Sequence, residues 1–108
     1  MVRLILGVGQ TKSNYMNEFT VGIADKTIGK MPINGERTNA VGNFSGWMIW
    51  CGDEMPGDKD AFTPYCSEHL PIQIEVIRKY LSLAPGYRFQ VDNCGYEDVW
   101  FDEKLLDH

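Results

Sequence analysis

Three sets of residues in this 108-residue chain have side chains able to do chemistry. Cys66 and His69 form a C-x-x-H pair, and Cys51 and Cys94 would bring the set to four zinc ligands. The partners are isolated rather than in a second C-x-x-C or C-x-x-H, so the plainer reading is small core thiols and a histidine near a helix start. A Cys66 or Cys51 thiolate with His69 or His108 as base would make a nucleophile. That needs a lowered thiol pKa and an oriented base, and no local signature marks either. The chain also lacks G-x-S-x-G and a phosphate-cradling loop, and Gly7-Val8-Gly9 lacks the third glycine of a dinucleotide fingerprint. We therefore expect no catalytic residue, no metal ligand and no cofactor.

The third set is carboxylates. Asp53, Glu54, Asp58 and Asp60 follow an aromatic run, and Glu97, Asp98, Asp102 and Glu103 flank a second one. They sit beside Trp50, Tyr96 and Trp100, the mixture of rigid apolar anchor and charge that interfaces use. Asp53, Glu54, Asp58, Glu97, Asp98 and Trp50 are thus the expected partner-binding residues. The competing reading is a solvated acidic face that keeps the protein soluble. Residues 1–52 hold five bases against three acids and residues 53–108 five bases against twelve acids, for a net charge of −5. An acidic half argues against nucleic acid, which requires a basic footprint, and suits a basic protein partner.

These residues must be held by one domain, because the chain is long enough for a real core and too short for two. With 44% apolar and 23% charged residues, it has the composition of a globular protein rather than a disordered one. Leu4-Ile5-Leu6 is too short for a signal-peptide core or a membrane span, so a cytoplasmic protein with no membrane contact and reduced thiols is expected.

The organising element is the stretch 43–54, N-F-S-G-W-M-I-W-C-G-D-E. It reads as a central strand buried on both faces, with Trp47 and Trp50 on opposite sides and the carboxylates emerging at its C-terminal end. Val2 to Val8 reads as a first strand and Gln10 to Asn17 as a loop. Phe19 to Ile23 and Thr27 to Met31 read as a hairpin, and Pro32 to Gly42 as an exposed loop. Asp60 or Thr63, the latter with Pro64 directly after it, can cap a short helical turn reaching about His69. From Pro71, Leu70, Ile74, Ile77 and Leu81 mark an amphipathic helix, with Val76, Tyr80 and Leu83 widening its stripe and Ala84-Pro85-Gly86 ending it. Its polar face is mixed in charge, which fits core packing rather than a membrane surface. Tyr87 to Val91 and Tyr96 to Phe101 form a second hairpin around Asp92-Asn93-Cys94-Gly95. Leu105 and Leu106 return the tail to the domain. The sum is an α+β domain: an antiparallel or mixed sheet of about five or six strands under one main helix.

Four blocks of this sequence, G-W-M-I-W-C-G-D-E at 46–54, E-H-L-P at 68–71, Y-L-S-L-A-P-G-Y-R-F at 80–89 and Y-E-D-V-W-F-D at 96–102, resemble a known family. They are similar to the immunity-protein-thirty-three-like domains of bacterial polymorphic toxin systems, in which a Ser-Gly-Trp strand ends in Gly-Asp/Glu-Glu. Ser45, Gly46, Trp47, Gly52, Asp53 and Glu54 match that pattern, and the resemblance spans roughly residues 28–106. It implies a non-enzymatic immunity protein that binds and blocks a cognate protein toxin inside the producing cell. It assigns no catalytic residue and does not name the toxin.

Overall fold

The structure is a computed structural model that describes residues 20–42 and 44–106. The strand and loop expected over Val2–Val8 and Gln10–Asn17 lie outside the described residues. Among those described, six strands make one mixed sheet: β1 (Thr20–Ile23), β2 (Ile33–Arg37), β3 (Phe44–Cys51), β4 (Thr63–Cys66), β5 (Tyr87–Val91) and β6 (Glu97–Phe101). Their order across the sheet is β4-β1-β3-β2-β5-β6.

β3 is central, as its composition predicts. It pairs parallel with β1 and antiparallel with β2. Trp47, Ile49 and Cys51 point to one face and belong to the hydrophobic core, whereas Met48 and Trp50 alternate onto the other. Trp47 is fully buried and Trp50 is 6% exposed, so both faces of this strand are covered.

The Ser45-Gly46-Trp47 motif fastens three strands together. The Ser45 hydroxyl donates to the Thr20 carbonyl at 2.8 Å and accepts from the Trp47 amide, and the Arg37 Nε donates to the Ser45 carbonyl at 2.9 Å. Gly46 has φ +97°, and a Cβ there would run into the Thr38 carbonyl, so glycine alone suits the position. The Trp47 indole donates to the Leu81 carbonyl at 3.1 Å, and the Arg37 Nη1 donates to the Leu83 carbonyl at 2.6 Å. Burial pulls the Arg37 pKa down to about 10.

Three local expectations are corrected. In the hairpin expected of Phe19–Ile23 with Thr27–Met31, the described part, Thr20–Ile23, does not pair with Thr27–Met31: after β1 the chain makes a 3-10 turn at Asp25–Thr27, and β1 pairs with β3 and β4 instead. The stretch Pro32–Gly42 is not simply an exposed loop, because Ile33–Arg37 is strand β2, sandwiched between β3 and β5. Its alternation is disguised by Gly35, an inward position with no side chain of its own. Thr63–Cys66 is edge strand β4 rather than a helical turn. Pro64 is tolerated there because an edge strand leaves one row of backbone groups unpaired.

The chain from β4 to β5 must cross β1, β3 and β2, and it does so as a helical segment, Ile72–Tyr80, of 3-10 type with a break at Ile74. Buried Ile74, Ile77 and Tyr80 recur every third residue, the period of a 3-10 helix. Val76 consequently faces out at 52% exposure, contrary to the wider stripe expected for it. Leu70, Leu81 and Leu83 complete the layer over Val21, Ile33, Trp47, Ile49, Phe89 and Val91. The helix ends at Tyr80, ahead of the expected stop at Ala84-Pro85-Gly86, and the β5–β6 hairpin turns through Asp92, whose carboxylate accepts from the Cys94 and Tyr96 amides at 2.8 and 2.9 Å.

Only one face of the sheet lies under the helix. On the other, the loop from Gly52 to Phe62 passes over β1 on its way from β3 to β4.

Candidate functional site

The pairing registers gather the C-terminal end of β3 and the start of β6 at one end of the sheet. Cys51 is opposite Ile33, Ile33 opposite Val91, and Val91 opposite Glu97. Asp53 and Glu54 therefore leave the same end as Glu97 and Asp98, three strand spacings apart, or about 14 Å.

Asn34 fixes the direction in which the Gly52-Asp53-Glu54 turn leaves the sheet. Its buried amide donates to the Gly52 carbonyl at 2.8 Å, and to those of Pro32 and Trp50 at 3.2 and 3.3 Å, while its oxygen accepts from Gln90 at 2.7 Å. On the helix face, the Thr27 hydroxyl accepts from the Cys51 amide at 2.9 Å. Gly52 takes φ +98°. Asp53 and Glu54 are exposed and line a hollow of about 490 Å³ with Lys30 and Met31.

The other expected residues are placed differently. Glu97 lies on the helix face, where it accepts a hydrogen bond from the Tyr80 hydroxyl and has Lys79 Nζ at 3.3 Å. These contacts hold its carboxyl below the usual range. Asp98 is exposed, opposite Gln90 on the sheet's other face. Asp58 is exposed in the loop after β3 and accepts from the Asp60 amide at 2.9 Å, ordering the turn at Lys59–Ala61. Trp50 is buried, and its indole N–H has no hydrogen-bond partner among the described residues. Leaving such a donor unpaired costs about 1–3 kcal/mol.

Sequence reasoning did not find the charged cluster on the sheet face away from the helix. Arg88 stands between two carboxylates, 3.3 Å from Glu36 and 3.0 Å from Asp102, with Trp100 beside its guanidinium at 5.6 Å. Burial raises the Glu36 pKa although Arg88 opposes the shift, and Arg88 holds the Asp102 carboxyl low. The available signal was the alternation Asn34, Glu36 against Ile33, Arg37, which is strand-like once Gly35 is counted as an inward position.

The cysteines do not converge. Cys66 pairs with Thr20 at the end of the sheet opposite Cys51, and Cys94 is exposed in the β5–β6 turn. Among the described residues, no group of three His, Cys, Asp or Glu side chains could hold a metal ion. Burial pushes the Cys51 thiol up, away from the thiolate a nucleophile needs. No helix among the described residues is long and apolar enough to cross a membrane.

No curated protein and no solved structure matches the chain. A family model does: the Imm33-like domain, over residues 6–102, which extends further toward the N-terminus than the blocks carrying the resemblance. Within that match the Ser-Gly-Trp half of the motif is a buried structural fastener, and Asp53 and Glu54, after buried Gly52, are presented to solvent. The chain thus belongs to the Imm33-like family, the immunity proteins of polymorphic toxin systems, a family that is typically non-enzymatic.

Proposed function

We propose that this protein neutralises its cognate toxin by covering the toxin's working surface with the acidic end of the sheet. Family membership over residues 6–102 is the observation that carries this reading. The convergence of Asp53, Glu54, Glu97 and Asp98 on one end of the sheet supports the choice of surface. Asp53, Glu54 and Asp98 supply charge that a basic toxin surface would meet. Glu97 contributes from its anchored position beside Lys79, Asp58 extends the acidic rim, and Trp50 is the rigid support behind the turn. If the toxin acts on nucleic acid, these carboxylates stand where substrate phosphates would, and the net charge of −5 speeds encounter. The protein acts in the cytoplasm of the producing cell, needs no cofactor and carries out no reaction of its own.

The test uses the cognate toxin domain. Equimolar addition of the purified protein is expected to abolish toxin activity, with an affinity that falls as salt is raised. Full toxin activity in the presence of excess folded protein would rule the reading out.

A further inference from the structure

The face of the sheet away from the helix carries a groove of about 710 Å³, open to solvent. Gly22 of β1, Met48 of β3 and Glu36 of β2 line it from the sheet, and Gly22, with no side chain of its own, leaves the space beside Met48 and Phe62 open. Phe44, Phe62 and Pro64 are among the apolar residues around it. The loop from Met55 to Gly57 forms the remaining wall.

Its charge is one-sided. Among the described residues Glu36 is the one ionisable group lining it, and its side chain is 14% exposed. The nearest cation, Arg88, is shared with Asp102, so Glu36 does not have that guanidinium to itself. The loop that walls the groove also carries the exposed carboxylates Asp58 and Asp60. An occupant complementary to this surface is apolar where it meets Met48, Phe44 and Phe62, and cationic where it meets Glu36 and the rim. A long basic side chain beside an apolar one meets both conditions, because its methylene stem packs on apolar walls while its charge reaches the carboxylate.

We infer that this groove is a second seat for the toxin, taking an apolar side chain of the toxin together with an adjacent lysine or arginine that pairs with Glu36. This rests on the immunity reading and assigns to the interface a face distinct from the acidic end of the sheet. Burial already disfavours the ionised form of Glu36, and an arriving cation would restore it. Trp50, with its unpaired indole N–H, is on the same face.

The test is calorimetric titration of the toxin domain into the wild-type protein and into Glu36→Gln, Phe62→Ala and Met48→Arg, with thermal melting as the check on folding. Met48→Arg places a long cationic side chain in the groove and competes with the toxin's own. Glu36→Gln and Phe62→Ala are expected to weaken binding by about tenfold each, and Met48→Arg by about a hundredfold. Glu75→Gln, on the outer side of the helix, is expected to bind like wild type. Should Met48→Arg fail to fold, the two milder variants decide the matter. Wild-type affinity in folded Glu36→Gln and Phe62→Ala would overturn the groove while inhibition by the wild type left the immunity reading standing. Failure of the wild type to bind the toxin would overturn both. A dimer of the free protein that Met48→Arg dissociates would make the occupant a second copy and overturn its assignment to the toxin.

Discussion

The Phe89 ring lies directly over Gly35, its partner across the β2–β5 register, so that β2 borrows its inward side chain from the neighbouring strand. A Cβ at position 35 would overlap the Phe89 ring carbons and stand 3.0 Å from Ile49 Cδ1. Phe89 cannot retreat, because it is held between Trp47, with centroids 5.4 Å apart, and Tyr80, stacked at 4.7 Å. Gly35→Ala is therefore expected to destabilise the domain by about 1–3 kcal/mol, as overpacking of a filled core does, measured by chemical denaturation.

The three-residue period of the crossover helix separates two neighbours of similar chemistry. Ile77 is fully buried and Val76 is half exposed. Ile77→Ala should cost about 2–5 kcal/mol and Val76→Ala less than about 0.5 kcal/mol. Comparable losses at both positions would mean that the segment has the wider stripe of an α-helix.

Acid should weaken the attachment of the helix to β6. The Glu97 carboxyl is lowered first by the Tyr80 hydroxyl and then by Lys79, so its folded pKa is below its unfolded value near 4.5. The stability it contributes is fully present above that unfolded value and is lost as pH falls through the folded pKa. Because Glu97 is about half exposed, the effect is small. Glu97→Gln should flatten the acid side of the stability profile and leave the shape near neutral pH unaltered, as followed by thermal melts across pH.

Asp53 and Glu54 are exposed at the end of β3, so replacing them with Asn and Gln should leave the melting temperature close to wild type. The double variant is expected to bind toxin about tenfold more weakly at low salt, chiefly through a slower association rate, and to converge on wild type at high salt. Binding kinetics at two ionic strengths check this, and unchanged association at low salt would remove the pair from the interface.

Much of this architecture is written in local pattern. The apolar run of β3 with turn formers at both ends, the alternation of Tyr87, Phe89 and Val91, the Asp92–Gly95 turn and the crossover helix beginning after Pro71 are each legible because a side-chain period is a property of consecutive residues. The same locality hid β2, since Gly35 reads as loop until Phe89, far along the chain, fills its place. It also hid β4, where Pro64 suggests a helix start and only its place at the sheet edge makes it acceptable in a strand. The sequence by itself determined that a doubly buried central strand would end in an exposed Asp-Glu pair. Only the tertiary structure decided that Asp53 and Glu54 share an end of the sheet with Glu97 and Asp98, and that Glu36 and Asp102 share Arg88 beside an apolar groove. Strand order and register are set by non-local packing between faces, and no window of consecutive residues contains that information.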